Sequence, residues 1–416
     1  MRVFYHNPAK NKSRIKKNLR RNRRNFSDNG DFLTIPFRLC PPVGNGTAIG
    51  KAADIGKGVV INMKLRRMLF VLLMVLLAGT LTGCVRVEAG KRRRFQTVFV
   101  GSMDTVVRFT AYCVDDAEFD RACERVRSGL EKADALFNAY REDSSLSRVN
   151  AGAGTGPVAA PSALAAALEE CRAWQAEVPA ANVAMGSVLS LWHTARETGE
   201  PPEGEAVAAA LSHTSMDAVR VTGLEIDGED AAVAIDDPAL SLDLGGVAKG
   251  LAARSITDGL RESGLDCFLL DCGTSTLVCA GAPPGRAGWT IALRNPDASL
   301  NRSGTENPPA TLGQIALKDC CVGTSGDYQK YFEKNGTFYS HIIDTTTGYP
   351  ADYVRAVTVL TEDAGEADFY STALFAQPYE QARALAERTP GLEALWVFQD
   401  GSRAATGGFP PLEPPA

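Results

Sequence analysis

The chain has 416 residues, 45% of them apolar and 22% charged, a globular composition that excludes a disordered or collagen-like protein. Its net charge of −5 hides a split: residues 1–62 carry 13 Lys/Arg against 3 Asp/Glu, whereas the chain from Cys84 onward carries 28 against 46, a net of −18. An acidic body argues against nucleic acid as a partner, because phosphate backbones demand clustered Lys/Arg. The length fits two or three domains, or one large one.

Residues 1–62 hold a near-continuous basic run from Lys10 to Arg24. After them, 63–84 reads MKLRRMLFVLLMVLLAGTLTGC: a basic start, an apolar run from Met68 to Ala78, and small residues before a cysteine. That order predicts a secretory signal peptide over 63–83, since the apolar run is short for a membrane span. Leu81-Thr82-Gly83-Cys84 resembles a bacterial lipobox, in which Cys84 is lipidated and becomes the mature N-terminus. The body is then expected outside the cytoplasmic membrane, tethered to the lipid bilayer through 84–94. Met63 is itself a start candidate, so 1–62 reads either as a non-native upstream extension or as a genuine basic arm. A buried helix or an uncleaved anchor is the alternative for 63–83.

Strands are predicted at 95–100 and 106–114 around a turn at 101–104. Phe119, Cys123, Val126, Leu130, Ala133 and Phe137 recur every three or four residues, an amphipathic helix. Residues 140–147 read as a polar loop and 152–161 as a small-residue linker. Helices follow at 162–177 and 183–197, separated by Pro179. A hairpin over 218–235 turns at Asp227-Gly228, and 240–244 reads as a strand. Gly245 and Gly246 open a helix to about 263. Further strands are predicted at 267–270, 276–280, 289–293, 337–343, 354–360 and 394–399, with helices at 367–375 and 380–388 and an exposed loop at 301–309. Scattered strands with many hairpin connections favour an α+β fold over a regular βαβ array. The eight cysteines beyond Cys84 contain no CxxC pair, which disfavours structural zinc; buried free thiols are the expected state, and disulfide pairing is not assignable from sequence.

Three stretches carry chemistry. Residues 241–250, SLDLGGVAKG, place two glycines before a helix start, where free amides, the dipole and Lys249 can hold an anion; a plain strand–turn–helix corner fits equally well. Asp368 and Thr372 lie four apart on one helical face. A carboxylate and a hydroxyl so spaced can share a hard cation, or be a helix-start acid and a core threonine. His341 and Asp344, in SHIIDTTTGYPAD (340–352), can act as base and orienter or as ligands, or be structural.

Taken in order, Met103-Asp104-Thr105, Tyr140, Ser145-Leu146-Ser147-Arg148-Val149-Asn150, Met185-Gly186, Leu191-Trp192, the 241–250 stretch, Thr324-Ser325-Gly326-Asp327-Tyr328, the 340–352 stretch and Ala367-Asp368 with Ser371-Thr372-Ala373 resemble the ApbE family of FAD:protein FMN transferases. The resemblance spans roughly 97–400. It implies a single large ApbE-like (T-fold-related) domain over 95–412, with a mixed antiparallel sheet and packed helices. It also implies transfer of FMN from FAD to a threonine hydroxyl of an exported or membrane-bound electron-transfer flavoprotein subunit with an Asp-x-x-Ser/Thr-Gly-Ala-Thr type motif, with release of AMP.

By the same resemblance, Met103 and Tyr140 pack the adenine end, and Ala181 and Asn182 line the flavin site. The Gly245-to-Gly250 turn, with Gly245, Gly246 and Lys249, faces the pyrophosphate, and Asp243 and Ile342 are further cofactor-binding residues. Asp368, Thr372 and the Ala248 carbonyl hold Mg²⁺. His341 takes the proton of the attacking threonine, with Asp344 orienting it or the loop. Thr345 stands where proline is usual, Asn182-Val183 where Asp-Pro is common, and Gly273-Thr274 where two glycines are. Rival readings are a Mg²⁺-dependent FAD pyrophosphatase, a non-catalytic flavin-binding lipoprotein, and a flavin-carrying substrate in which Pro350 occupies the acceptor position.

Overall fold

The computed structural model describes residues 92–414 except 102, 104, 224–230 and 274. The expectations for 1–62, the leader at 63–83, Cys84 and the Asp227-Gly228 turn lie outside the described residues. β1 (Arg93–Val100) and β2 (Val106–Cys113) form an antiparallel hairpin, and alternate β2 residues Val107, Phe109, Ala111 and Cys113 are buried, the period of two that one covered face imposes. α1 (Asp116–Phe137) starts where Asp115 accepts from the Glu118 N–H at 2.8 Å, and it buries the predicted stripe from Cys123 to Phe137. α2 (Ser145–Ala151) begins inside the predicted polar loop. The Ser144 hydroxyl accepts from the Ser147 N–H at 3.0 Å, and Leu146 and Val149 face the core.

β3 (Val158–Ala160), inside the predicted linker, pairs later in a small sheet ordered β3-β5-β4. Between come α3 (Ser162–Glu177), α4 (Gly186–Thr198) and α5 (Gly204–Leu211), then β4 (Val219–Thr222) and β5 (Ala231–Ile235). The 240–244 segment is not a full strand. It bridges only at Ser241 to Met185, and the Asn150 side chain grips the Leu242 N–H and carbonyl, each at 2.8 Å. α6 (Ala248–Glu262) leads into β6 (Phe268–Cys272), β7 (Thr276–Ala280), β8 (Trp289–Arg294), β9 (Thr311–Leu317) and β10 (Cys320–Gly326). β11 (Tyr331–Lys334) and β12 (Thr337–Ser340) make a separate hairpin; the predicted strand at 337–343 stops at Ser340, where a loop closes through Ile343 and Pro350. β13 (Ala356–Thr361), α7 (Ala364–Phe375), α8 (Tyr379–Arg388), β14 (Glu393–Val397) and β15 (Arg403–Ala405) complete the chain.

The main sheet has eight antiparallel strands in the order β1-β2-β6-β7-β10-β13-β14-β15. Helices α1, α6 and α7 cover one face. The β8–β9 hairpin covers the other, with Trp289, Ile291 and Ile315 packed on Cys279, Val322, Leu360 and Leu395. This is the α+β architecture expected. Seven of the eight described cysteines are buried, and Cys320 is partly exposed. Among the described residues no helix is long and apolar enough to cross a membrane.

Candidate active site

The site lies where α6 and α7 meet. A Cβ at Gly250 would sit 2.7 Å from Asp368 Cβ and 2.9 Å from Gly365 Cα, so the absence of a side chain there is what lets the helices touch. The contact delivers Asp368 to the start of α6: its Oδ2 accepts from the Gly250 N–H at 2.9 Å, while Oδ1 accepts from the Thr276 hydroxyl of β7 at 3.0 Å. One turn on, the Thr372 hydroxyl lies 3.1 Å from the Asp368 carbonyl and 3.3 Å from the Gly246 carbonyl. Sequence spacing paired Asp368 with Thr372; it did not reveal Thr276, which enters through the strand order.

Asp368 is 3% exposed, and its described partners are a neutral amide and a neutral hydroxyl. A buried carboxylate without a cationic partner is costly. With Thr372 and the Gly246 carbonyl it forms an oxygen-only donor set, the type a hard divalent cation takes. Among the described residues no three His, Cys, Asp or Glu cluster, so one carboxylate would be supplemented by hydroxyl, carbonyl, water or phosphate oxygens. The residues present fit Mg²⁺. Ala248 opens α6 beside this set and is buried.

A second group surrounds the glycine turn. Asp243 Oδ1 accepts from the Gly245 N–H at 2.7 Å, and Oδ2 accepts from the Tyr140 hydroxyl at 2.8 Å. Tyr140 is 56% exposed and stacks on His193, with centroids 4.6 Å apart. Burial of the hydroxyl end and the Asp243 carboxylate push the Tyr140 pKa up, so the phenol stays protonated and donating. Gly245 and Gly246 are exposed, and Lys249 Nζ reaches back to the Gly245 carbonyl at 3.4 Å. Met103 adopts φ +53, its N–H donates to Asp134 at 3.2 Å, and its side chain packs against the core. Gly273 has φ +78, and a Cβ there would overlap the Thr105 side chain, so the β6–β7 turn presses on the Met103 turn.

The third group is the 340–352 loop. Trp192 Nε1 donates to the Gly348 carbonyl at 2.7 Å, and Thr345 Oγ1 donates to the Pro179 carbonyl at 2.9 Å. The loop therefore borders both α4 and the 179–182 segment. There Ala181 is buried, and Asn182 accepts from the Ala184 N–H and donates to the Thr214 carbonyl, each at 2.8 Å. Asp344 accepts from the Thr346 N–H and the Tyr353 hydroxyl, each at 2.7 Å. Those bonds organise the loop; none among the described contacts runs to His341. Ile342 is buried, and its carbonyl accepts from the Ala351 N–H at 2.9 Å. Burial, then Lys330, Lys249 and Arg196, push the His341 imidazole down to about 3, so the ring is neutral. Its Nδ1 is buried without a hydrogen-bond partner.

A family model described as the ApbE family matches residues 103–396. The chain belongs to the ApbE family. An FAD:protein FMN transferase of Treponema pallidum (strain Nichols) is 32% identical over 302 residues, 70% of this ApbE chain and 81% of that protein. One from Vibrio cholerae serotype O1 is 31% identical over 288 residues, 68% of this chain and 82% of its own. The crystal structure of the ApbE protein from Thermotoga maritima MSB8 superposes with a TM-score of 0.65 at 25% identity, over 76% of this chain and 98% of that one. The flavin transferase ApbE of Vibrio cholerae gives 0.64 at 24%, over 77% and 100%, a likeness of fold.

Proposed function

We propose that this protein is an FAD:protein FMN transferase that joins FMN to a threonine hydroxyl of an exported target and releases AMP. The observation that carries the reading is the buried Asp368 carboxylate, matched among the described residues by neutral donors, at the meeting of α6 and α7 beside an exposed two-glycine turn. In the reaction the threonine oxygen bonds to the FMN phosphorus, and the phosphorus–oxygen bond to AMP breaks. The hydroxyl proton passes to His341. A histidine near pKa 3 is a weak base, which suits phosphoryl transfer, where positioning and charge neutralisation dominate. An FAD diphosphate beside Lys249 offsets the cations that depress the ring and so raises its basicity.

Asp368 and Thr372, with the Gly246 carbonyl beside them and the Ala248 carbonyl expected from the resemblance, would hold Mg²⁺, which when bound would neutralise the diphosphate and stabilise the departing phosphate. Tyr140, exposed and braced by Asp243 and His193, offers a face for the adenine, and Met103 lies at the same end. Ala181, Asn182 and Ile342 border the flavin. Asp344 holds the loop that carries His341. The leader pattern supports an exported lipoprotein, with Cys84 lipidated, 84–94 as tether and 95–412 as the transferase domain. Partners on this reading are FAD, the bilayer, and an electron-transfer flavoprotein subunit bearing an accessible threonine.

The test is co-expression with an exported acceptor protein, read by in-gel flavin fluorescence. Asp368→Ala is expected to lower transfer roughly 10²- to 10³-fold. Full labelling by that variant, or by the parent protein in excess EDTA, overturns the assignment. AMP release from FAD without acceptor, at the rate seen with it, favours the pyrophosphatase reading instead.

A further inference from the structure

α4 turns one face to the loop that carries His341. Trp192 bonds the Gly348 carbonyl, and its ring meets those of Tyr339 and Tyr349. Arg196 follows four residues later, on the same helical face. Its Nη2 donates to His193 Nδ1 at 2.8 Å, and the His193 ring stacks on Tyr140 within 20° of parallel. A half-buried guanidinium is thereby fixed between the Tyr140 ring and the His341 loop. Its charge is felt at both: with burial, Lys330 and Lys249 it holds the His341 imidazole down, and it opposes the burial and the Asp243 charge that raise the Tyr140 phenol.

Arg141, Arg254, Arg302 and Arg355 each meet at least one carboxylate. Among the described residues, Arg196 instead bonds a ring nitrogen of His193, whose other ring nitrogen lies 3.7 Å from the Glu197 carboxylate. That contact orients the guanidinium, and no carboxylate among the described contacts bonds it directly. In a body of net −18, an oriented guanidinium that bonds no described carboxylate directly, one ring away from the exposed Tyr140, is suited to receive an anion. Its planar fork matches phosphoryl oxygens better than an ammonium does.

We propose that Arg196 is a diphosphate-contacting residue, its guanidinium taking a phosphoryl oxygen of FAD between the Tyr140 ring and the His341 loop. The inference rests on the reading above that this site takes FAD. It adds a cation from α4 to the Lys249 and Mg²⁺ side of the diphosphate. It also gives α4 a role in nucleotide binding besides bracing the loop.

Titration calorimetry on the full chain tests it, using FAD, ADP and the two phosphate-free halves, adenosine and riboflavin. Arg196→Ala is expected to weaken FAD and ADP roughly 10- to 100-fold while leaving adenosine and riboflavin within about twofold. Arg196→Lys should recover part of the loss, since it restores charge but not the fork. Equal weakening of phosphate-bearing and phosphate-free ligands would mean a merely structural arginine and would overturn the assignment, as would unchanged ADP affinity. Parent protein without affinity for FAD would sink the transferase reading itself, and this inference with it.

Discussion

His341 enters the fold as a neutral ring, and this has a cost that depends on pH. Burial comes first, then Lys330, Lys249 and Arg196, in holding it down to about 3. An unfolded histidine takes its proton near 6.5. Between those values the unfolded chain binds the extra proton. The contribution of this group is therefore fully present above about pH 6.5 and is lost as pH falls towards 3. His341→Gln should accordingly show a shallower fall in thermal midpoint from pH 7 to pH 4 than the parent; parallel curves would contradict the buried neutral ring. At this scale the sequence revealed single residues better than their partners. Asp368 and Thr372 are four apart and were readable as a pair. Thr276 is 92 positions from Asp368 and becomes visible only through strand order. Asp344 was expected to orient either His341 or its loop, and its bonds to Thr346 and Tyr353 lie within the loop.

Among the elements, α6 and α7 decide whether the site exists. Gly250→Ala sets two effects against each other. Alanine favours the helix by about 1 kcal/mol over glycine. The added Cβ, however, would overlap the Ala364 carbonyl and crowd Asp368 Cβ, an overpacking that costs about 1–3 kcal/mol. The clash is with backbone, which cannot rotate away, so it wins. The variant should melt lower than the parent and lose flavin transfer more steeply than it loses stability; a higher midpoint with full transfer would refute the close crossing. The same device explains what the sequence hid. β10 reads CCVGTSG, without a clear alternating pattern, and it was not predicted as a strand. Gly323 within it is where the Ala367 backbone of α7 lies against the sheet, and a side chain would push the helix off. α1 was legible because its buried stripe recurs at helical spacing. α2 was not, because its start is a serine cap that in sequence resembles any polar loop.

For the whole molecule, a buried charge network holds several segments together, and through Arg302 and Asp352 it reaches the end of the 340–352 loop. Arg355 is 0% exposed and donates to Asp327 at 2.7 Å, to Asp297 at 2.6 Å and to the Leu300 carbonyl at 2.8 Å. Arg302 adds a bond to Asp327 at 2.7 Å. The network ties the 295–303 loop to the ends of β10 and β13. Arg355→Met removes the buried cation, leaving Asp297 without a described cationic partner and Asp327 with Arg302 alone. The expected loss is about 3–5 kcal/mol, read as a lower urea midpoint with an unchanged slope; a midpoint within error of the parent would show that the loop, not the arginine, holds this corner.

The strand order draws the proposed nucleotide-binding residues from nearly the full described chain. Met103 and Tyr140 come from near its start, whereas Asp368 and Thr372 ride on α7, which packs on β10 and β13. No early fragment can carry half a catalyst: a chain halted before α7 has the aromatic shelf but no carboxylate, and a chain lacking β1 and β2 has the reverse. On the proposed reading, nucleotide affinity therefore also reports a chain folded through α7, and a copy truncated before α7 is expected to lose FAD affinity.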